Sequence, residues 1–389
     1  MSSKPSGMRD RLSRDFERFA RGLPADWPAH VRDAYRLDLS ASCLGVPLPH
    51  PIGKASGQLS LSQRQLEQDR DAGLAFVVLK TVIGERPDGS RRMAEWATGE
   101  SRMDVEFRDE PDGQRGWTVT WKGRGWGGTL DEYASLLRAG RDLRADGGPL
   151  AVPSVKLHLP AEQEPFDQAE YAHTLEVLRQ AWGSGTMLVE KDFSPTLAGD
   201  PRSDHRAAIL RWLREVPMEF RRADPDLRVS LKLMNARFDD AFQVSMLEAA
   251  RAADSVTVFN RLWDAGRSVA YGGWALSDRN LRVLDLSPAG GPERSGTGNI
   301  CSGRQVAAYA RRGCRSVQLH TFFQLPLSAY RASDGSRTAR ALHALVFDPQ
   351  DGLIAVMLEL EEQGRISRRG GELHFLDLAS LADRGTDAD

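Results

Sequence analysis

Cysteine is scarce in this sequence: Cys43, Cys301 and Cys314 are the only three in 389 residues. Their odd number and wide spacing, without a CxxC pair, argue against a disulfide framework, a zinc site or a resident iron–sulfur cluster. Reduced thiols in a cytoplasmic protein are the simpler expectation. Charge of one sign is missing too: 52 basic side chains face 54 acidic ones. No global field therefore draws the chain to nucleic acid or to a membrane surface. No segment reaches the roughly 18 consecutive apolar residues of a membrane-spanning helix. Met1–Arg21 is too charged for a signal peptide and has no apolar centre. Phe16, Phe19 and Ala20 give that segment a weak apolar face, suited either to packing on the end of a domain or to an amphipathic docking helix. No GxGxxG opens the first helix, which counts against a Rossmann domain.

What is present is alternation. β-rich runs at Pro51–Ser56, Ala75–Val82, Val152–Leu159, Met187–Phe193, Arg228–Met234, Ser255–Asn260, Arg294–Ile300 and Ser316–Thr321 are predicted as strands. Between them helical patterns cover Leu61–Ala72, Leu130–Ala145, Phe166–Trp182, Ser203–Val216, Asp239–Ala253, Ser277–Leu286 and Ser302–Arg312, with a last one from about Ala341 to Gln363. Strands that alternate with helices belong to parallel βαβ units, because parallel neighbours need a long crossover. Eight such units predict an α/β fold of the (β/α)8, or TIM, barrel type rather than an open sheet. Residues 1–37 read as an N-terminal helical extension and 38–389 as one barrel. An insertion at about 84–128 carries Trp96, Trp117, Trp121 and Trp126. Its alternating run Trp117–Trp121 predicts a hairpin flap after the second strand. Either it covers the catalytic face, which the loops after barrel strands build, or its tryptophans form a small core of their own.

Two strand ends carry the clearest chemistry. Ser295-Gly296-Thr297-Gly298-Asn299-Ile300 closes the seventh strand and Gln318-Leu319-His320-Thr321 the eighth. Loops after these two strands often present backbone N–H groups to a phosphate, and glycines permit close approach. Asn299 tolerates a left-handed φ. Further upstream stand Asp38-Leu39-Ser40, Leu44-Gly45, Pro51-Ile52-Gly53-Lys54-Ala55-Ser56-Gly57, Val78-Leu79-Lys80-Thr81-Val82, Val229-Ser230-Leu231-Lys232-Leu233, Val256-Thr257-Val258-Phe259-Asn260 and Gly272-Gly273. In this order and on these strand ends, the series resembles the dihydroorotate dehydrogenase family, from Asp38 to about Phe323.

That resemblance implies an FMN-dependent oxidoreductase acting on a C–C or C–N bond, in a homodimer, with a small-molecule substrate. It places Ala55, Ser56, Gly57, Lys80, Thr81, Lys232, Asn260, Gly272, Gly273, Gly298, Asn299, His320 and Thr321 around the flavin. The physics of Lys232 agrees. An ammonium in mid-strand between Leu231 and Leu233 needs a partner, and a fixed cation favours a flavin that accepts hydride. The structural alternative is that lysines at a barrel mouth simply reach solvent.

The resemblance breaks at the catalytic loop. The family's segment after the fourth strand reads approximately Asn-x-Ser-(Cys or Ser)-Pro-Asn, and its Cys or Ser is the base. Here the chain has Glu190-Lys191-Asp192-Phe193-Ser194-Pro195-Thr196. The base is either lost or supplied by Ser194. Asp192 and Thr196 replace asparagines, and each unmet polar group on a cyclic ureide costs about 1–3 kcal/mol. Dihydroorotate is therefore not the expected substrate. Other candidates for the base are Asp192, should burial raise its pKa, and Lys156 and His158, which share one side of the third strand by period two. Lys191 is expected on the face opposite Asp192, against the helices or solvent. The electron acceptor stays open among oxygen, a quinone-like molecule and a partner protein. Two rival readings remain: a non-redox barrel enzyme for a phosphorylated substrate, and a non-catalytic flavin-binding homologue.

Overall fold

The computed structural model describes residues 5–97, 103–109, 115–121, 125–161, 163–193, 206–235, 239–264, 269–272, 275–288 and 290–384. Eight parallel strands among these residues close into a barrel. They are β1 (Ile52–Lys54), β2 (Phe76–Val78, resuming at Val82–Ile83), β3 (Leu150–Val152 and Ser154–Lys156), β4 (Leu188–Asp192), β5 (Arg228–Met234), β6 (Ser255–Asn260), β7 (Glu293–Gly296) and β8 (Cys314–Leu319). Each pairs with the next, and β8 returns to β1 through Val317–Ile52 and Leu319–Lys54. The two halves of β2 pair separately with the two halves of β3. Pro153, which has no N–H to donate, marks the break in β3. β7 stops at Gly296, four residues short of the expected end.

The helix layer begins with α1 (Pro5–Phe19) and α2 (Trp27–Tyr35). It continues with α3 (Gln63–Asp71), α4 (Leu130–Ala145), α5 (Gln168–Trp182), α6 (Arg206–Ala223), α7 (Asp240–Ala249), α8 (Ala275–Leu286), α9 (Gly303–Ala310), α10 (Thr321–Gln324), α11 (Arg337–Phe347) and α12 (Leu353–Glu362). Capping boxes start α3 (Ser62 with Gln65) and α4 (Thr129 with Glu132), satisfying N–H groups that a helix leaves open. Where one helical pattern was expected over Ala341–Gln363, there are two helices. Asp348 accepts from the N–H groups of Gln350 and Asp351, and Pro349 lies inside that turn, so the chain breaks before Gly352.

In α1, Met8, Leu12, Phe16 and Phe19 are buried along one face, and Phe16 stacks on His343 of α11 with ring centroids 4.4 Å apart. The N-terminal segment thus packs on α11 and α12. No helix among the described residues is long and apolar enough to cross a membrane. A hairpin of Ala41–Cys43 and Val46–Leu48 lies at the N-terminal end of the barrel. There Ser42 Oγ donates to Glu293 at 2.8 Å, and Arg228 Nη1 donates to the Leu44 carbonyl at 2.9 Å.

The expected flap is a hairpin of Met103–Asp109 and Arg115–Trp121. It does not stand alone. Val269–Gly272, from the loop after β6, pairs antiparallel with Arg115–Trp121, and Leu262–Asp264 completes a four-stranded sheet. Of the flap tryptophans, Trp117 meets Phe107 edge-on at 5.2 Å and Trp126 meets Tyr133 of α4 at 5.5 Å. Its Leu262–Asp264 strand begins two residues after Asn260 and its Arg115–Trp121 strand packs near α10, so the sheet borders the C-terminal mouth of the barrel.

Candidate functional site

At that mouth lies a cleft of about 740 Å³, measured out to solvent. Its walls come from seven strands and the residues that follow them. β1 contributes Ala55 and Ser56, β2 Lys80 and Thr81, β4 Asp192, and β5 Lys232. After β6 come Asn260 and Arg261, after β7 Thr297–Ile300, and at β8 Gln318–Thr321.

The interruption of β2 is what turns Lys80 and Thr81 toward the cleft. Leu79 N still bonds to Val152, but Lys80 N is taken by Ser60 O at 3.0 Å. Thr81 Oγ1 then joins three strands, lying 2.9 Å from Ser56 Oγ, 3.0 Å from Ser154 Oγ and 3.3 Å from Asp192 Oδ2. Asp192 stands opposite Lys232 in the β4–β5 register. Lys156 is buried beside this group with Nζ 4.0 Å from Asp192 Oδ2 and 5.1 Å from the centre of the Trp96 ring.

On the far side the carbonyls after β7 are tied back by buried side chains. Asn280 Nδ2 donates to Thr297 O at 2.8 Å, and Ser277 Oγ donates to Gly298 O and Asn299 O. With these acceptors engaged, the segment's N–H side is what it has left for a ligand. Gly298 adopts φ +114° and Asn299 φ +52°, the left-handed conformation expected of it. At the end of β8, His320 is buried and its ring abuts Gly57 so closely that a Cβ there would overlap it.

Electrostatically the cleft is cationic. Burial, then the neighbouring Arg261 and Lys156, brings the Lys80 ammonium down to about 7, while Asp192 pulls the other way. Burial likewise lowers Arg261, to about 10. His320 falls well below its ordinary value, through burial and then Arg261, Lys80 and Lys232, so its imidazole is neutral. Buried polar atoms of cleft residues with no hydrogen-bond partner among the described residues include Asn299 Nδ2, Gln318 Oε1 and His320 Nδ1. Buried groups of this kind are rare unless a ligand or water completes them. A cation-rich cleft with unmet donors and an acceptor is chemically suited to FMN, whose phosphate and ring offer anionic and polar partners.

The expected site residues divide. Ala55, Ser56, Lys80, Thr81, Asp192, Lys232, Asn260, Gly298, Asn299, His320 and Thr321 meet in the cleft, and Gly57 supports it through His320. Lys156 reaches it through Asp192. His158 points elsewhere: its Nε2 is 4.0 Å from Glu164 and its backbone N–H donates to Glu170. Gly272 pairs with Val119 in the flap sheet. Lys191 is buried, its Nζ donating to Leu157 O at 3.2 Å, not exposed to solvent. Ser194, Gly273 and Thr196 lie outside the described residues. Arg261 and Leu276 line the cleft without having been anticipated. For Arg261 a signal was there: a charged side chain directly after a barrel strand stands on the catalytic face.

No protein-family profile matches the sequence, and neither does any curated protein. Among solved structures, the chain is similar to a DHODH from Eimeria tenella in complex with ferulenol. The two share 13% identity at a TM-score of 0.61, over 99% of this chain and 97% of that one. The likeness establishes a barrel fold of the dihydroorotate dehydrogenase kind.

Proposed function

We propose that the chain is an FMN-dependent oxidoreductase that moves a hydride between the flavin and a small organic substrate other than dihydroorotate. The observation that carries this reading is the meeting of Lys80, Lys232, Thr297–Ile300 after β7 and His320–Thr321 after β8 in one cleft, with Asn299 Nδ2, Gln318 Oε1 and His320 Nδ1 unsatisfied. The fold, shared with a DHODH, supports it.

FMN, when bound, supplies the two-electron chemistry that no protein side chain provides. The segment Gly298–Ile300 and Thr321 would hold its phosphate through backbone N–H groups and a hydroxyl. Lys232 holds positive charge at the cleft floor, where it favours an electron-rich ring. Lys80 binds an anionic group of cofactor or substrate. Asp192, held by Thr81 at 3.3 Å and by the nearby Lys156, is the carboxylate in the cleft that would take a proton from one substrate atom while hydride is lost from the C–H of its neighbour, so that the C–C or C–N bond between them is oxidised. Replacement of an amide by Asp192 leaves a neutral ureide without its donors, which is why dihydroorotate is set aside.

The test is to purify the protein, record its visible absorption and identify any released chromophore by mass. Bound FMN supports the proposal. A colourless protein that cannot be reconstituted with FMN overturns it.

A further inference from the structure

Barrel interiors are normally filled by layers of apolar side chains. Here the layer below the cleft floor contains a carboxylate. Glu190, on β4, is 1% exposed and reached from three other strands. Its Oε2 accepts from Gln318 Nε2 of β8 at 2.9 Å and from Thr257 Oγ1 of β6 at 3.2 Å. Its Oε1 has no hydrogen-bond partner among the described residues and lies 3.5 Å from Lys232 Nζ of β5, too long for a good hydrogen bond but close in Coulombic terms. Burying this charge for structure alone is a poor bargain, since apolar residues of similar volume pack as well or better.

We propose that Glu190 is a positioning residue that sets the effective charge of Lys232 and the orientation of Gln318, and through them the reduction potential of the flavin. The proposal rests on the flavin reading above. An ionised carboxylate only accepts hydrogen bonds, so Gln318 must turn its amide nitrogen toward Glu190 and leave Oε1 as its unengaged end. That acceptor suits a ring N–H. The same carboxylate offsets most of the Lys232 charge felt at the floor, so the ammonium stabilises the reduced ring less than a lone lysine would.

The experiment is a redox titration of the FMN-loaded protein and of Glu190→Gln, Lys232→Met and the double variant. Glu190→Gln raises the potential, making the reduced-to-oxidised ratio at fixed poise at least tenfold larger, about 30 mV for two electrons. Lys232→Met lowers it. In the Lys232→Met background the Glu190→Gln effect falls below twofold, because the carboxylate acts on the ring chiefly through the Lys232 ammonium that this variant removes. An unchanged potential in Glu190→Gln, or an equal shift in both backgrounds, overturns the proposal. Should Glu190→Gln not fold, Glu190→Asp keeps the charge and withdraws it by one methylene; the potential still rises, by less, and no rise overturns the proposal. Absorption of the same samples keeps the two readings apart. Flavin-free protein that cannot be loaded strikes the function itself, whereas loaded protein indifferent to Glu190 strikes only this inference.

Discussion

Gly57 and His320 are in direct apposition across the β1–β8 seam, with the imidazole occupying the space a Gly57 side chain would need. The ring is neutral and buried, and its Nε2 meets Gln324 on one side and Gln58 Oε1, at 3.4 Å, on the other. Gly57→Ala must push the ring toward the phosphate end of the cleft. The expected outcome is a protein that folds but holds FMN at least tenfold more weakly, measured by fluorescence titration of released flavin. Unchanged affinity would show that His320 does not border the bound cofactor.

Asn299 gives a second handle on the same region. Its left-handed backbone costs an ordinary L-residue about 1–2 kcal/mol. Asn299→Val therefore lowers both stability and FMN retention. Asn299→Gly keeps the backbone and loses only the amide, so stability holds while FMN affinity drops about tenfold, or roughly 1.4 kcal/mol. Equal FMN affinity in Asn299→Gly and the parent would remove the amide from the site.

Lys80 makes the fold sensitive to pH. Its folded value of about 7 lies below its ordinary 10.5. The unfolded chain thus binds more protons between those limits, and stability gains with pH across that window. Below pH 7 the lysine is charged in both states, and the cost of burying it is fully present. In flavin-free protein, Lys80→Met is expected to raise Tm most at pH 6, with the gain shrinking toward pH 10. A gain independent of pH would contradict the depressed value.

Asp192 tests the substrate. Under anaerobic conditions the FMN-loaded protein is not bleached by dihydroorotate on the timescale of turnover. With a substrate that does bleach it, Asp192→Asn slows flavin reduction by about 10²–10⁴-fold, the usual contribution of a positioned base, without loss of FMN. Rapid bleaching by dihydroorotate, or unaffected reduction in Asp192→Asn, would contradict the assignment.

The barrel was legible because strand and helix patterns alternate with clear periods, and α4 runs from Leu130 to Ala145 in both sequence and structure. The cleft was legible where a strand end carries an unusual residue, as at Lys80, Lys232 and Gly298–Asn299. Other features were not, for physical reasons. The flap sheet joins Arg115–Trp121 to Val269–Gly272, a pairing across some 150 residues that no local pattern encodes. His158 shares strand parity with Lys156 as expected, but β3 ends at Lys156, and beyond a strand end period two no longer dictates direction. Glu190 shares the parity of Asp192, yet only the closed barrel shows that it faces Lys232 and Gln318.

The most direct test of the account is the visible spectrum of the purified protein, before and after incubation with FMN. The expected result is the visible absorption of the flavin's own ring, with FMN released on denaturation. A protein that stays colourless after incubation, and is instead stabilised against heat by a phosphorylated substrate analogue, would contradict it.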